Sequence, residues 1–411
     1  MVTIPAGPAR RFRILLRKCR TNQPSGPDPR VLVQVINGQL HLQTRLERVG
    51  LGLTIPTGGD ALDPMLVTLA NLDSAHGPMP CAGSIDPLRV PENLKAMPDD
   101  FLEALHEAWK TSAREASKYA MTCVQLRGKR GEVIATDGKQ ALIQNGFKFP
   151  FQDDVLVPAI QLFGTRDLFL QEEVTLGQVD GYLVVRAGPW TVWLQIDTEA
   201  RFPSAADAIP RGPAPTVLDI PAMDALRLAD ALAALPCEDR QSRAVLFVLE
   251  ERPTIWACSD TLTTPIELSV NDLRISGPHR RVAAHAGNFE RALNFRLRQF
   301  QFVHEDRPWV AADSRRTYFA TAIDHTSFPL LVAPQPPTNQ EEPLTALPPG
   351  RVPIELEPLV TDPLGEAENL RTLFGEGHAR LTKLIAFLKV LRSAPQIVNA
   401  AISPVRPLSL E

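Results

Sequence analysis

The residue types that could do chemistry are present but scattered. The chain has 411 residues, with eight histidines and five cysteines among them. Cys19, Cys81, Cys123, Cys237 and Cys258 are odd in number, far apart and never in a C-x-x-C spacing. They point to neither a zinc site nor a disulfide framework, and read as reduced cytosolic thiols. His304-Glu305-Asp306 and Asp324-His325 are neighbours in the chain, but neighbours in an alternating strand face opposite sides and do not converge. Asp153-Asp154 reads as a turn before a strand at Val155 rather than as a metal site. H-E-x-x-H, G-x-S-x-G, the phosphate-binding G-x-x-x-x-G-K-[ST] and the dinucleotide-binding G-x-G-x-x-G do not occur. The sequence therefore predicts no catalytic residue, no metal and no cofactor, and a protein that is not an enzyme. What it can offer is recognition, by cations that meet phosphates and by apolar strands that hold a peptide.

The charge balance sets the terms for that recognition. Lys+Arg 43 against Asp+Glu 47 gives a net charge of -4, so no bulk basic field attracts nucleic acid and any such contact must be local. With 44% hydrophobic and 22% charged residues the composition is that of a globular protein, and at roughly 100 to 200 residues per domain the length implies several domains. The N-terminus is basic, with Arg10, Arg11, Arg13, Arg17 and Lys18, but only Ile14, Leu15 and Leu16 stand in for a signal peptide's apolar core. No run of 18 apolar residues occurs, so a soluble, cytoplasmic protein without a membrane contact is expected.

The elements that must position these residues are mostly short strands. Asn37-Gly38, Asp137-Gly138 and Asp180-Gly181 each lie between alternating segments, the strongest local signal for a strand pair. FRILL, residues 12–16, reads as a strand, and the first 96 residues as a strand-rich half-domain with one short helix at most. Helical periods run through Phe101, Leu105, Ala108 and Trp109, opened by Pro98-Asp99-Asp100, and from Met223 to Leu235, closed by Pro236. An internal repeat is visible: VLFVLEERPTIWACSD around Arg252-Pro253 is echoed by FQFVHEDRPWVAADS around Arg307-Pro308, each copy following a helical stretch. A unit of one helix and about three strands is thus duplicated, and the same unit occurs twice between 98 and 200. Prolines crowd 331–364 and predict an extended linker. Beyond it Leu370, Phe374, Gly377, Leu381, Leu384, Leu388 and Leu391 alternate spacings of four and three, which predicts a helix over about 366–393 with a seam for a copy of itself or another protein.

At this point the residues resemble the bacterial sliding clamp, the beta subunit of DNA polymerase III. Lys118-Tyr119, then GEVIATDGKQALI with Thr136-Asp137-Gly138, then VLVPAIQLF, then ARFPSAADAIP ending at Pro210 follow the order and spacing of the family's second domain. Residues 216–323 resemble its third domain, and VLVQVINGQLHLQTRLERVGLGLTIP the strand half of its first. The resemblance implies an α+β DNA-clamp fold divided as 1–96, a reduced first domain; 97–215 and 216–330, the second and third; 331–364, linker; and 365–411, a C-terminal helix and tail.

It also implies function. A clamp meets duplex DNA through the solvent faces of its helices without reading sequence, and offers a hydrophobic cleft to short peptides of a DNA polymerase or repair factor. DNA contacts would come from Lys110, Arg114, Lys118 and Tyr119, with Arg280, Arg281 and Arg291 as further candidates. The cleft would be lined by Thr136, Gly138, Ala141, Leu142, Pro210, Tyr318 and Phe319. Two departures stand out: Lys139-Gln140-Ala141 replaces the usual basic pair and leucine, and Thr321-Ala322-Ile323 the usual Met-Pro-Met. Asn369-Leu370-Arg371-Thr372-Leu373-Phe374 loosely resembles the clamp-binding peptide itself. The resemblance leaves a homodimer open, and the alternative function is a clamp-derived scaffold that no longer encircles DNA.

Overall fold

A computed structural model describes residues 4–20, 29–58, 61–72, 80–81, 83, 85–115, 119–210, 215–262, 264–270 and 272–324. Lys118, the proline-rich linker at 331–364 and the helix expected at 366–393 lie outside the described residues. Every strand ladder within them is antiparallel, and the strands form three sheets. No described helix is long and apolar enough to cross a membrane.

The eight-stranded sheet runs, from edge to edge, Leu62–Thr68, Arg30–Ile36, Gln39–Leu46, Val49–Pro56, Trp190–Gln195, Tyr182–Ala187, Val174–Val179 and Lys95–Ala96. Its central join is made by two distant stretches of chain, because Trp190 to Leu194 pair with Leu53 to Val49. The nine-stranded sheet runs Arg274–Ser276, Thr216–Asp219, Gln299–Phe302, Trp309–Ala312, Arg316–Ala320, Gln140–Gln144, Glu132–Thr136, Cys123–Arg127 and Asp154–Pro158. Here the join is the ladder from Arg316 opposite Gln144 to Ala320 opposite Gln140. Ile266–Leu268, Thr254–Cys258, Ala244–Leu249, Arg280–His285 and Ala322–Ile323 make a five-stranded sheet.

Among the described residues five α-helices cover these sheets: α1 Ala6–Cys19, α2 Phe101–Thr111, α3 Arg166–Phe169, α4 Ala222–Ala234 and α5 Ala286–Asn294. The first three share one core, in which Phe12, Leu15, Phe101, Leu105, Phe163 and Trp190 are all buried. A second core lies under α4 and α5, with Phe247 edge-on to Phe289 at 4.9 Å and Trp309 tilted against Tyr318.

Two expectations need correction. FRILL is not a strand but the middle of α1, a helix of 14 residues. Ala9, Phe12, Leu15, Leu16 and Cys19 recur at helical spacing and all are buried, while Arg17 and Lys18 in the last turn oppose the helix dipole. Burial of that stripe outweighs what five residues alone suggest. The first segment therefore has a real helix, and it precedes the strands. Among the described residues between 98 and 210, in turn, only α2 is longer than one turn; the second helix expected there is the four-residue α3.

The turns follow their chemistry. Asn37-Gly38 and Asp180-Gly181 both have positive φ at each residue, as two-residue hairpins require. The Asp137-Gly138 turn differs, because only Gly138 has positive φ; Asp137 holds the turn by accepting from the backbone N–H of Lys139 and Gln140 at 2.9 and 3.0 Å.

Candidate nucleic-acid interface

The cations of α2 are placed by the helix's own periodicity. Phe101, Leu102, Ala104, Leu105 and Ala108 are buried, which leaves Glu103, His106, Trp109 and Lys110 at the partly open face. Beyond the helix end the Arg114 guanidinium lies over the Trp109 ring, 4.0 Å from its centroid, and His106 stacks on the same ring at 5.4 Å with an interplanar angle of 18°. Tyr119 is 45% exposed.

His106 reports the local field. Its pKa is pushed down to about 4, first by burial and then by Lys110, Arg114 and Lys18. Lys18 is at the end of α1, so the positive face of α2 continues onto that helix. Arg10, Arg11 and Arg17 are exposed along α1, which carries no acid at all. Arg11 reaches Asp167 at 3.9 Å, and Arg13 is used structurally, donating to the carbonyls of Leu69 and Ala70. The five basic residues are plain in the sequence, but a strand at FRILL would not gather them onto one face; the helix does.

In the other direction the face opens into a groove of about 580 Å³. Lys110 of α2, Arg114 just beyond its end, Lys139 of the Asp137 turn, Arg240 and Arg243, and Arg291 of α5 line it, against Asp137 and Glu290 as the acids. Both acids are already occupied: Asp137 accepts from the backbone amides above and from the Gln140 amide, and Glu290 faces Arg243 at 3.5 Å. Lys110, Lys139 and Arg240 have no ion pair among the described residues. Burial and the nearby Arg291 hold the Arg114 guanidinium below its ordinary range. His285 is lowered by burial and then by Lys139, so near neutrality it lines the groove uncharged.

Not every basic candidate belongs to this face. Arg280 donates to the Thr216 hydroxyl at 3.1 Å and Arg281 pairs with Glu250 at 2.8 Å, both on the 280–285 strand. The outward side of α4 is different again, with Met223 64% and Leu226 58% exposed and its one arginine, Arg227, beside Asp224 at 3.7 Å. The cationic band is carried by α1, α2 with the Arg114 beyond it, and the last turn of α5, and it stops short of α4.

The expected peptide cleft is divided by the sheet it was drawn on. Ala141 and Phe319 are cross-strand partners on one face, where they pack with Ile134, Ile143 and Val310 beneath Phe202, Ala205 and Ile209. Leu142 and Tyr318 are partners one residue on, so they point the other way and are fully buried in the α4–α5 core. They cannot line the same groove, which corrects the expectation for those two. Thr136 is buried, its hydroxyl donating to the Gln140 carbonyl at 2.7 Å; Gly138 is exposed at the turn, and Pro210 is half-buried beside Ile209. What joins the two sides is Gln140: its Oε1 accepts from the Tyr318 hydroxyl and from Arg291, and its amide donates to Asp137 at 2.6 Å.

No family model matches the sequence, and no curated protein matches it. Solved structures do. A DNA polymerase sliding clamp from Pseudomonas aeruginosa aligns over 77% of this chain and 97% of its own, with a TM-score of 0.61 at 15% sequence identity. The pol III beta of Caulobacter crescentus aligns over 78% and 98% with a TM-score of 0.61 at 13% identity. The DNA polymerase III beta chain of Streptococcus pneumoniae aligns over 77% and 98% with a TM-score of 0.58 at 12% identity.

Proposed function

We propose that this chain, whose fold is that of the bacterial DNA polymerase III beta sliding clamps, is a tethering or processivity factor of DNA replication or repair. It holds duplex DNA without reading sequence. The observation that carries the reading is the continuous positive band from Lys18 through Lys110 and Arg114 to Arg291, in a protein of net charge -4. Cations gathered from separate helices onto one face suit a phosphate backbone, whose repeating charge needs register but no base contact. Lys118 and Tyr119 follow Arg114 in the sequence and are further candidates for the same contact.

A partner from a DNA polymerase or repair factor would dock a short apolar peptide beside Phe202, Ile209 and Pro210, over the Ala141–Phe319 face. The protein does no chemistry of its own in this reading, and a homodimer would close a ring around the duplex.

The test is topological. On a closed circular duplex at physiological salt the protein should be retained, and linearising the circle should release it, since contacts this few hold little by affinity alone. Release from both forms at the same rate would end the tether reading. One observation favours a second function, a clamp-derived scaffold that no longer encircles DNA: the outward side of α4 presents Met223 and Leu226 where a DNA-facing helix would carry cations. Equal release would move the conclusion there.

A further inference from the structure

The join between the 140–144 and 316–320 strands is bridged by side chains as well as by its ladder. From α2, Glu107 reaches Arg316 with 3.0 Å between Oε1 and Nη1, and Asp100 pairs with Arg315. Arg315 also donates to the Asn145 carbonyl at 3.0 Å, and the Gln144 amide donates to the Ala104 carbonyl at 2.8 Å. The arginine contacts cross from α2 and its sheet to the start of the 316–320 strand, and the Gln144 bond ties that sheet to α2.

Glu107 is the under-compensated member. It is 5% exposed, and its one bonded cation is already claimed: Arg316 gives Nε and Nη2 to the same Asp313 oxygen at 2.9 and 2.8 Å. Two carboxylates thus share one guanidinium, and only one of them, Asp313, is open to water. Glu103, one turn earlier on α2, adds further negative charge, while Lys110 on the same helix offers a distant positive one. Of the remaining charged groups around the cavity at this join, Asp100 and Arg315 pair with each other, and the exposed Arg296 lines the cavity as a further cation. The strands beneath α2 bring Gln144 and Asn145 to that cavity and no ionisable group.

We propose that this join is a proton-operated joint, closed while the Glu107 carboxyl keeps a proton and loosened when the proton leaves. Burial, then Glu103, push the carboxyl up to about 7 against the opposing pull of Arg316 and Lys110, so the transition falls near neutrality. Opening would let water reach Glu107 and return it to the ordinary carboxylate range, so the closed state binds the proton more tightly than the open one. Raising the pH from about 5 to 7 therefore increases the open population, by up to tenfold per unit, and above 7 the effect levels off. Arg316 stays protonated throughout: burial works against its charge, but Asp313, and Glu107 once ionised, raise its pKa above the ordinary guanidinium range. Because α2 also carries Lys110 and Trp109, the joint sits directly behind the cationic groove, but it does not depend on what that groove binds.

Hydrogen exchange on the full chain tests the proposal, read from peptides covering α2 and residues 316–320, corrected for the intrinsic pH dependence of exchange and normalised to the 244–249 strand. Protection at the join should fall between pH 5 and 7 by roughly tenfold per unit, and Glu107→Gln, neutral at every pH, should keep the low-pH protection throughout. Flat protection in the native protein, or the same slope in Glu107→Gln, overturns the proposal. Asp313→Asn supplies a second reading should Glu107→Gln fail to fold: freeing Arg316 for Glu107 alone should move the midpoint to lower pH. An unmoved midpoint likewise overturns it.

Discussion

The Tyr318 hydroxyl donates to Oε1 of Gln140, 178 residues earlier in the chain, and both side chains are buried. The phenol pKa is raised, by burial first, so the group is a donor at any working pH. Gln140 is thereby fixed as the acceptor for Tyr318 and Arg291 at once. Gln140→Leu should leave the Tyr318 hydroxyl buried without an acceptor and cost about 1–3 kcal/mol in urea unfolding. Adding Tyr318→Phe should restore part of that loss, and a double variant as unstable as the sum of the singles would show the bond to be idle.

Two glycines should respond in opposite directions. Gly131 has φ +66, and a Cβ there would stand 2.0 Å from the Phe147 carbonyl oxygen. Gly131→Ala should therefore lower the melting temperature by several degrees, since neither the φ nor the backbone neighbour can yield cheaply. Gly287 lies in the first turn of α5 with nothing within 4 Å of its missing Cβ. Gly287→Ala should stabilise by about 0.4–1 kcal/mol, by restricting the unfolded chain. Calorimetry on the two variants decides both.

His106 ties stability to acid. Its folded value near 4 lies below the ordinary histidine range, so the unfolded chain takes up the proton more readily. The contribution is complete above about pH 6.5 and disappears as the pH falls towards 4, about 1–2 kcal/mol once solvent screening of a half-open ring is allowed for. Urea midpoints across that window should fall less steeply for His106→Gln than for the native protein. Parallel curves would place the imidazole in water.

The band on α1 and α2 and the apolar side of α4 make opposite predictions for DNA. Replacing Arg10, Arg17 and Lys18 by alanine should reduce the log–log salt slope of duplex binding, by about 0.9 for each phosphate that is no longer neutralised. Adding Lys110→Ala and Arg114→Ala should reduce it further, equally for any sequence. Met223→Ala with Leu226→Ala should leave the slope unchanged. A smaller slope in the α4 variant alone would put the DNA on the wrong helices.

Much of this arrangement is legible in the residues. Asn37-Gly38, Asp180-Gly181 and the two Arg-Pro turns announce their hairpins because turn chemistry is local. α2 and α4 show their apolar stripes over eleven and thirteen residues. Helix α1 escapes such a reading because Pro5, Gly7 and Pro8 blur its start and because a five-residue window cannot separate a buried helix stripe from a strand. The role of Gln140 cannot be read at all. Beside the Asp137 turn it looks like a weakened surface residue, and only the approach of α5 and the 316–320 strand, more than 140 positions away, makes it a buried acceptor.

The two joins also bear on how far the repeated units are separable. Each join hides a pair of strand edges, Val49–Pro56 against Trp190–Gln195 and Gln140–Gln144 against Arg316–Ala320. Cutting the polypeptide near 97 or 215 would bare unpaired, hydrophobic edges such as Val49, Leu51 and Leu53, the kind of surface that recruits other chains into aggregates. The sequence repeats like beads on a string, but its sheets are woven across the repeats, so the units cannot be shuffled, swapped or expressed singly as modules.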